Sequence, residues 1–296
     1  MSSTQSTAGA QLLAWRRRQL KRGGRSVDLD WLLDFGGGLA WTDLQRLLID
    51  PDRRVTLTAT FSELERFWML HLEHHKPLQH LVGLCPWRDL LIEVSPSALI
   101  PRQETEQLVD LALSIQWASP VQRWADLGTG SGAIAIALAH AFPQAHGHAV
   151  DRSEEALALA KQNLVRLVSS NHCQLHLGSW WEPLKPWWGE FDLVLSNPPY
   201  IPESLIAGLD PVVSNHEPHL ALDGGADGLD SIRRVVARAG HALAPGGWLL
   251  LEHHHDQSDA VLDWLRGVGL VQVEAVRDLQ GIVRFAMARR PLEQDI

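Results

Sequence analysis

Two stretches carry residues whose types and spacing can do chemistry. The first is Leu193-Val194-Leu195-Ser196-Asn197-Pro198-Pro199-Tyr200, an apolar run that stops at an amide, two prolines and an aromatic ring. Neither proline can donate a ladder hydrogen bond, so sheet pairing ends there and the carbonyls of Asn197 and Pro198 are free to face a ligand. Asn197 adds a side-chain acceptor and Tyr200 a flat face. Two acceptors converging beside an aromatic suit a planar NH2 group. The plainer alternative is a turn that merely ends a strand, and the second stretch weighs against it.

That second stretch is Asp126-Leu127-Gly128-Thr129-Gly130-Ser131-Gly132-Ala133, with glycines on alternate positions between a strand and a helix. Glycine allows positive φ and close backbone approach, and the helix start behind it offers unpaired N–H groups to an anion. Asp151 ends the next strand, where a carboxylate can accept both hydroxyls of a ribose. Such a loop suits a dinucleotide as well as S-adenosylmethionine and is a weak signal alone. Asp126 tilts the balance. A carboxylate there would repel a pyrophosphate, whereas it could attract the ammonium of a methionine moiety. Its alternative is a hydrogen bond that braces the loop.

The elements that must position these stretches alternate regularly. Trp124 to Leu127, Gly147 to Val150, Cys173 to Leu177, Leu193 to Ser196 and Gly247 to Leu251 read as strands, and Leu270 to Val276 and Ile282 to Ala288 close the sheet. Helices fall between, at Ala133 to Ala141, Ser153 to Leu167 with Ser153 as N-cap, and about Leu229 to Leu243. The pattern implies an α/β fold with a doubly wound, mostly parallel, seven-stranded Rossmann-like sheet. Ligands of such sheets lie beyond the carboxyl ends of the strands, where strand order reverses. If strands one and four are neighbours, Asn197 faces the glycine loop.

Ahead of this lies a different pattern. Ala10 to Leu78 is helical, with Leu12, Leu13, Leu20, Trp31, Leu32, Leu33, Leu44, Leu47 and Leu48 in clusters three or four apart. A small helical bundle over residues 1–78 is expected, then a hairpin linker at 79–102 with Leu90 to Val94 as a strand, then the catalytic domain at 103–296. The run Arg16, Arg17, Arg18, Lys21, Arg22, Arg25 is a solvated helix face or a dock for an acidic partner or RNA. His71, His74 and His75 have helical spacing without a companion ligand motif, and no metal is expected. Arg102 either decorates the start of a helix or reaches into the neighbouring site.

Composition narrows the classes. The formal charge of −9 argues against stable nucleic-acid binding, and no stretch approaches the apolar length of a membrane span. Met1 to Ala14 lacks a basic region followed by an apolar core, so a cytoplasmic protein is expected. Cys85 and Cys173 fall in different elements without metal-ligand spacing and read as reduced.

Asp126 to Gly132 together with Asn197-Pro198-Pro199-Tyr200 resembles the class I methyltransferases that modify planar amino groups. Three more stretches narrow the resemblance: Leu99-Ile100-Pro101-Arg102 with Glu104-Thr105-Glu106; Glu217-Pro218-His219-Leu220-Ala221-Leu222-Asp223-Gly224-Gly225-Ala226-Asp227-Gly228-Leu229; and Gly246-Gly247 to Leu251-Glu252-His253. Over nearly the whole chain they resemble the release-factor glutamine methyltransferases. The resemblance implies methylation of the N5 amide nitrogen of glutamine in the Gly-Gly-Gln loop of class I peptide chain release factors, a step tied to translation termination. It implies that Gly128, Thr129, Gly130, Ser131, Gly132, Asp151, Trp180 and Asn197 contact S-adenosylmethionine. Asn197, Pro198, Pro199 and Tyr200 would hold the glutamine, in a monomeric enzyme. The runner-up is a nucleic-acid methyltransferase acting on adenine N6 or guanine N2, whose NH2 poses the same geometric problem. Two departures from the family pattern are His254-His255 after His253, expected as exposed strand-end residues with it, and Gly281-Ile282-Val283-Arg284 near the end.

Overall fold

The computed structural model describes residues 4–169 and 172–292, so the first residues of the Met1 to Ala14 stretch lie outside the described part. The chain divides into two units, one running to Leu84 and including Asp210–His216, the other comprising Cys85–Leu209 and the residues from Glu217 onward.

The first unit holds strand β1 (Gln5–Ala8), helices α1 (Gly9–Leu20), α2 (Ser26–Trp31) and α3 (Trp41–Ile49), strand β2 (Arg54–Leu57), and helices α4 (Phe61–His74) and α5 (Leu78–Val82). Leu12, Leu29, Leu32, Leu33, Leu47 and Trp68 form its core. Helix α4 starts at a reciprocal cap: the Glu63 N–H donates to Thr60 Oγ1 at 3.2 Å, and the Thr60 N–H donates to Glu63 Oε2 at 2.8 Å. The antiparallel β1–β2 pair interrupts the expected all-helical pattern. Four residues each, rich in Gln, Ser, Thr and Arg, are too short and polar to register as alternation. The basic run is only partly a solvated face. Arg16 pairs with Asp30 and is half-buried, while Arg22, paired with Glu65, and Arg25, paired with Asp28, are exposed together with Arg17, Arg18 and Lys21. His71 Nδ1 lies 2.8 Å from the Lys76 carbonyl, and His75 closes α4 in the left-handed conformation.

The second unit opens with the hairpin β3 (Leu84–Trp87) and β4 (Leu90–Glu93), inside the stretch read as a linker. Trp87, Ile92 and Val94 are buried in this unit's core, so these residues are part of the second unit's packing. There follow α6 (Glu106–Ser114), β5 (Arg123–Leu127), α7 (Ala133–Ala141), β6 (His146–Asp151), α8 (Glu154–Leu167), β7 (Cys173–Leu177) and β8 (Phe191–Ser196). Beyond them lie three one-turn helices, α9 (Glu203–Ile206), α10 (Pro211–Ser214), whose residues belong to the first unit, and α11 (His219–Leu222). Then come α12 (Asp230–Ala242), β9 (Leu243–Glu252), α13 (Ser258–Gly267), β10 (Val271–Arg277) and β11 (Val283–Arg289).

The seven-stranded sheet runs β10-β11-β9-β8-β5-β6-β7. Strands β5 to β9 pair in parallel, and β11 slots antiparallel between β9 and β10. Successive residues feed opposite faces: Trp124, Leu193 and Leu195 pack with α6 and α7, whereas Ala125, Val194, Leu249 and Leu251 pack with α12 and α13. Burial on both faces explains the near-continuous apolar runs. Strands β5 and β8 are neighbours, with Trp124 opposite Leu193 and Asp126 opposite Leu195. The Ser196 hydroxyl donates to the Leu127 carbonyl at 2.6 Å and ties the two strand tips together. No helix among the described residues is long and apolar enough to cross a membrane.

Gly147 on β6 is dictated by packing. A Cβ there would lie 2.1 Å from Cζ2 of Trp124, itself 1% exposed and with nowhere to shift. Gly147→Ala is expected to destabilise the protein by about 3 kcal/mol, at the upper end for overpacked cores. Chemical denaturation checks this, and a midpoint unchanged from wild type would contradict it.

Candidate active site

The glycine loop is stitched to the end of β6. Gly128 and Thr129 both donate their N–H to the Val150 carbonyl at 2.9 Å, and the Gly130 N–H donates to Asp151 Oδ2 at 2.9 Å. All three glycines have positive φ, at 81°, 56° and 85° for Gly128, Gly130 and Gly132. These bonds commit several N–H groups that the sequence reading left open to an anion, so the loop's donors are fewer than the glycine spacing suggests. Asp151 also accepts the Ser153 N–H on Oδ1 at 3.0 Å. Each of its oxygens keeps a second lone pair for a hydroxyl.

A cleft enclosing about 1070 Å³, its open mouth included, lies at the carboxyl ends of these strands. Gly128, Thr129, Gly130 and Ser131 line it, as do Asp151, Trp180, Asn197 and Pro199. Gly132 does not. A Cβ at Gly132 would sit 3.2 Å from Cβ and 3.3 Å from Cα of Ala160 on α8, with φ at 85°, so it serves helix packing. Pro198 is buried away from the cleft, and Tyr200, half-buried, is also outside its lining. Trp180 adopts φ 51°, a region costly for a bulky residue, and its indole covers Gly128, where a Cβ would come within 3.4 Å of Cζ3.

Asp126 takes the bracing role. It is fully buried and off the cleft lining. Its Oδ2 accepts the Thr129 hydroxyl at 2.6 Å and the Ala135 N–H at 3.2 Å, while Oδ1 has no partner. Burial pushes its carboxyl up to about 7, against the pull of the Thr129 hydrogen bond.

Behind Asn197 runs a chain of hydrogen bonds that local sequence patterns did not reveal. Asn197 Nδ2 donates to Thr105 Oγ1 at 2.9 Å, and the Thr105 hydroxyl donates to Glu252 Oε2 at 2.7 Å. The Tyr200 hydroxyl donates to Glu252 Oε1 at 3.0 Å, and Gln257 Nε2 donates to the Tyr200 carbonyl at 2.9 Å. Burial raises the Tyr200 phenol well above its ordinary range, aided by the Glu252 charge, so the hydroxyl remains a donor. Arg102 lines the cleft and pairs at 2.6 Å with Glu217, which also accepts the Ile100 N–H. The three stretches quoted beyond the loop and the Asn197 segment thus meet in pairs, Arg102 on Glu217 and Thr105 on Glu252. The histidine run differs from expectation: His253 is fully buried, its N–H donating to the Arg284 carbonyl at 2.9 Å, and only His255 is exposed.

Fold and site together define a methyltransferase built on a Rossmann-like sheet. The family model described as methyltransferase small domain matches residues 109–207. The chain is 53% identical to a release factor glutamine methyltransferase of Prochlorococcus marinus over 98% of this chain and 100% of the relative. Identity is 40% to that of Synechocystis over 95% and 97%. Among solved structures, the hMettl16 catalytic domain in complex with MAT2A 3′UTR hairpin 6 shares the fold, with TM-score 0.54 at 15% identity over 79% of this chain and 82% of that one. This chain belongs to the release factor glutamine methyltransferase family.

The state of Asp126 yields a pH signature. Its folded pKa lies above the unfolded value near 3.8, so the stability it contributes is complete below that value and drains away as pH rises through about 7. Asp126→Asn, which cannot ionise, should gain on wild type by roughly 2–4 kcal/mol between pH 4 and 8. Parallel denaturation of the two proteins across that range measures it; parallel curves would refute an ionisable, buried Asp126.

Proposed function

We propose that this protein uses S-adenosylmethionine to methylate the N5 amide nitrogen of the glutamine in the Gly-Gly-Gln loop of class I peptide chain release factors, in the cytoplasm. One observation carries the proposal: Asn197 lines the same cleft as the glycine loop, at the tip of a strand laced to the loop's own strand. The residues present fit the methyl donor. Asp151 keeps lone pairs for ribose hydroxyls, Trp180 offers a flat wall, and Gly128 leaves the space beneath that wall free of a Cβ. When bound, the donor supplies an electrophilic methyl group.

An amide nitrogen is a weak nucleophile because its lone pair is delocalised into the carbonyl, so the protein must aim it. Asn197 Oδ1 accepts a hydrogen of the glutamine NH2 and turns its nitrogen toward the methyl group. Alignment of two bound reactants supplies roughly 7–11 kcal/mol in favourable cases. Orientation is therefore the main contribution. No general base is required, because the nitrogen becomes acidic once it gains positive charge and water can take the proton.

The same acceptor selects the substrate. A glutamate carboxylate would oppose acceptor to acceptor and leave buried groups unpaired at about 1–3 kcal/mol each, before charge repulsion. Incubation with labelled S-adenosylmethionine and either a release factor or nucleic acid should label the release factor; label in nucleic acid instead would transfer the assignment to adenine N6 or guanine N2.

Two variants divide the roles. Asn197→Ala is expected to abolish methyl transfer while sparing donor affinity, and wild-type turnover would remove Asn197 from the site. Asp151→Ala should weaken donor binding by about 1.5–3 kcal/mol in calorimetry, through the lost ribose acceptor and the loosened Gly130.

A further inference from the structure

The hydrogen-bond chain behind Asn197 has a direction, and that direction decides which end of the Asn197 amide the substrate meets. A carboxylate only accepts hydrogen bonds, and a threonine hydroxyl has one hydrogen. Because Thr105 donates that hydrogen to Glu252, it can only accept from Asn197. The amide must therefore turn Nδ2 to Thr105, which leaves Oδ1 as the acceptor on the cleft side. Thr105 and Glu252 are 5% and 1% exposed, so water does not compete for these bonds. Tyr200 occupies the second oxygen of Glu252 and holds the carboxylate in place.

We propose that Thr105 and Glu252 are positioning residues that lock Asn197 as a hydrogen-bond acceptor, so that the buried carboxylate, acting through one hydroxyl, sets the preference for a carboxamide substrate. The inference rests on the function proposed above, in which Asn197 Oδ1 receives the glutamine NH2. Glu252 lies off the cleft lining, and Thr105 lines it with its hydroxyl committed to Glu252 and Asn197. Without the Thr105 oxygen, the two ends of the amide become nearly equivalent, and the reversed one sets donor against donor.

Burial pushes the Glu252 carboxyl up from its ordinary range; the hydrogen bonds from the Thr105 and Tyr200 hydroxyls and the charge of Arg284 on β11 offset this in part and favour the accepting state, while Glu104 opposes them. A protonated Glu252 would donate to Thr105 and reverse the chain.

The test compares wild type, Thr105→Val, which is close in shape but lacks the hydroxyl, and Thr105→Ser, which restores it. Methyl transfer to a release factor is measured with labelled S-adenosylmethionine, donor affinity by calorimetry, and solvent exchange of the Asn197 side-chain NH2 by NMR. Thr105→Val should lower kcat about 10–100-fold, the scale of a misplaced reacting group, with donor affinity within about twofold of wild type. Its Asn197 NH2 should exchange at least about tenfold faster, as expected for a lost buried hydrogen bond. Thr105→Ser should return both quantities to near wild type. Wild-type kcat or unchanged exchange in Thr105→Val overturns the inference, as does a serine variant no better than valine. A wild-type enzyme that labels no release factor overturns the substrate assignment instead, while slowed exchange that depends on Thr105 still upholds the lock on Asn197.

Discussion

Everything at the site depends on the parallel pairing of β5 with β8. Parallel neighbours end at the same edge of the sheet, so the loop after one and the polar tip of the other must share a cleft. The Ser196 hydroxyl on the Leu127 carbonyl fixes how far each tip projects. Burial on both faces then holds the register, because a slip of one residue would send Leu193 and Leu195 to the face that Val194 occupies. Precision at the cleft is thus inherited from the hydrophobic interior below it.

Around that cleft the protein buries acidic groups and treats each differently. Glu217 is neutralised by Arg102 and by a backbone N–H. Glu252 accepts two hydroxyls and lies within the influence of Arg284, which only partly offset the upward push of burial on its carboxyl. Asp126 has no cation among the influences on it, and one of its oxygens goes unpartnered, so it leans toward the neutral form. Charge in an apolar interior persists only where it is paired or hydrogen-bonded. Glu217 meets that condition through its ion pair, whereas Glu252 and Asp126 meet it only in part, and burial raises both of their carboxyls.

What the sequence disclosed follows the range of each interaction. The glycine loop, the Ser153 cap and the strand ending at Asn197 are local, and their residue types announce them. The adjacency of β5 and β8 could be framed only as a condition, since topology is not written in any short window. Thr105 and Glu252 stand 147 residues apart, and nothing near either one signals the other. The resemblance places Gly132 among the ligand-contacting glycines, but a positive φ and a close helix contact ask for the same residue. The polarity of His253 points to a surface, whereas β11 covers the strand end and takes its N–H. The β1–β2 pair stayed hidden for want of length.

The placement of β11 carries a consequence for biosynthesis. It is the last strand in sequence among the described residues, yet it fills an interior slot beside β9. During translation the flank of β9 from Trp248 to Glu252 therefore stays unpaired until Arg289 has left the ribosome, and a bare, apolar strand flank invites pairing with other chains. A nascent chain halted before Val283 would have the glycine loop and Asn197 in hand and still lack the neighbour that β9 needs.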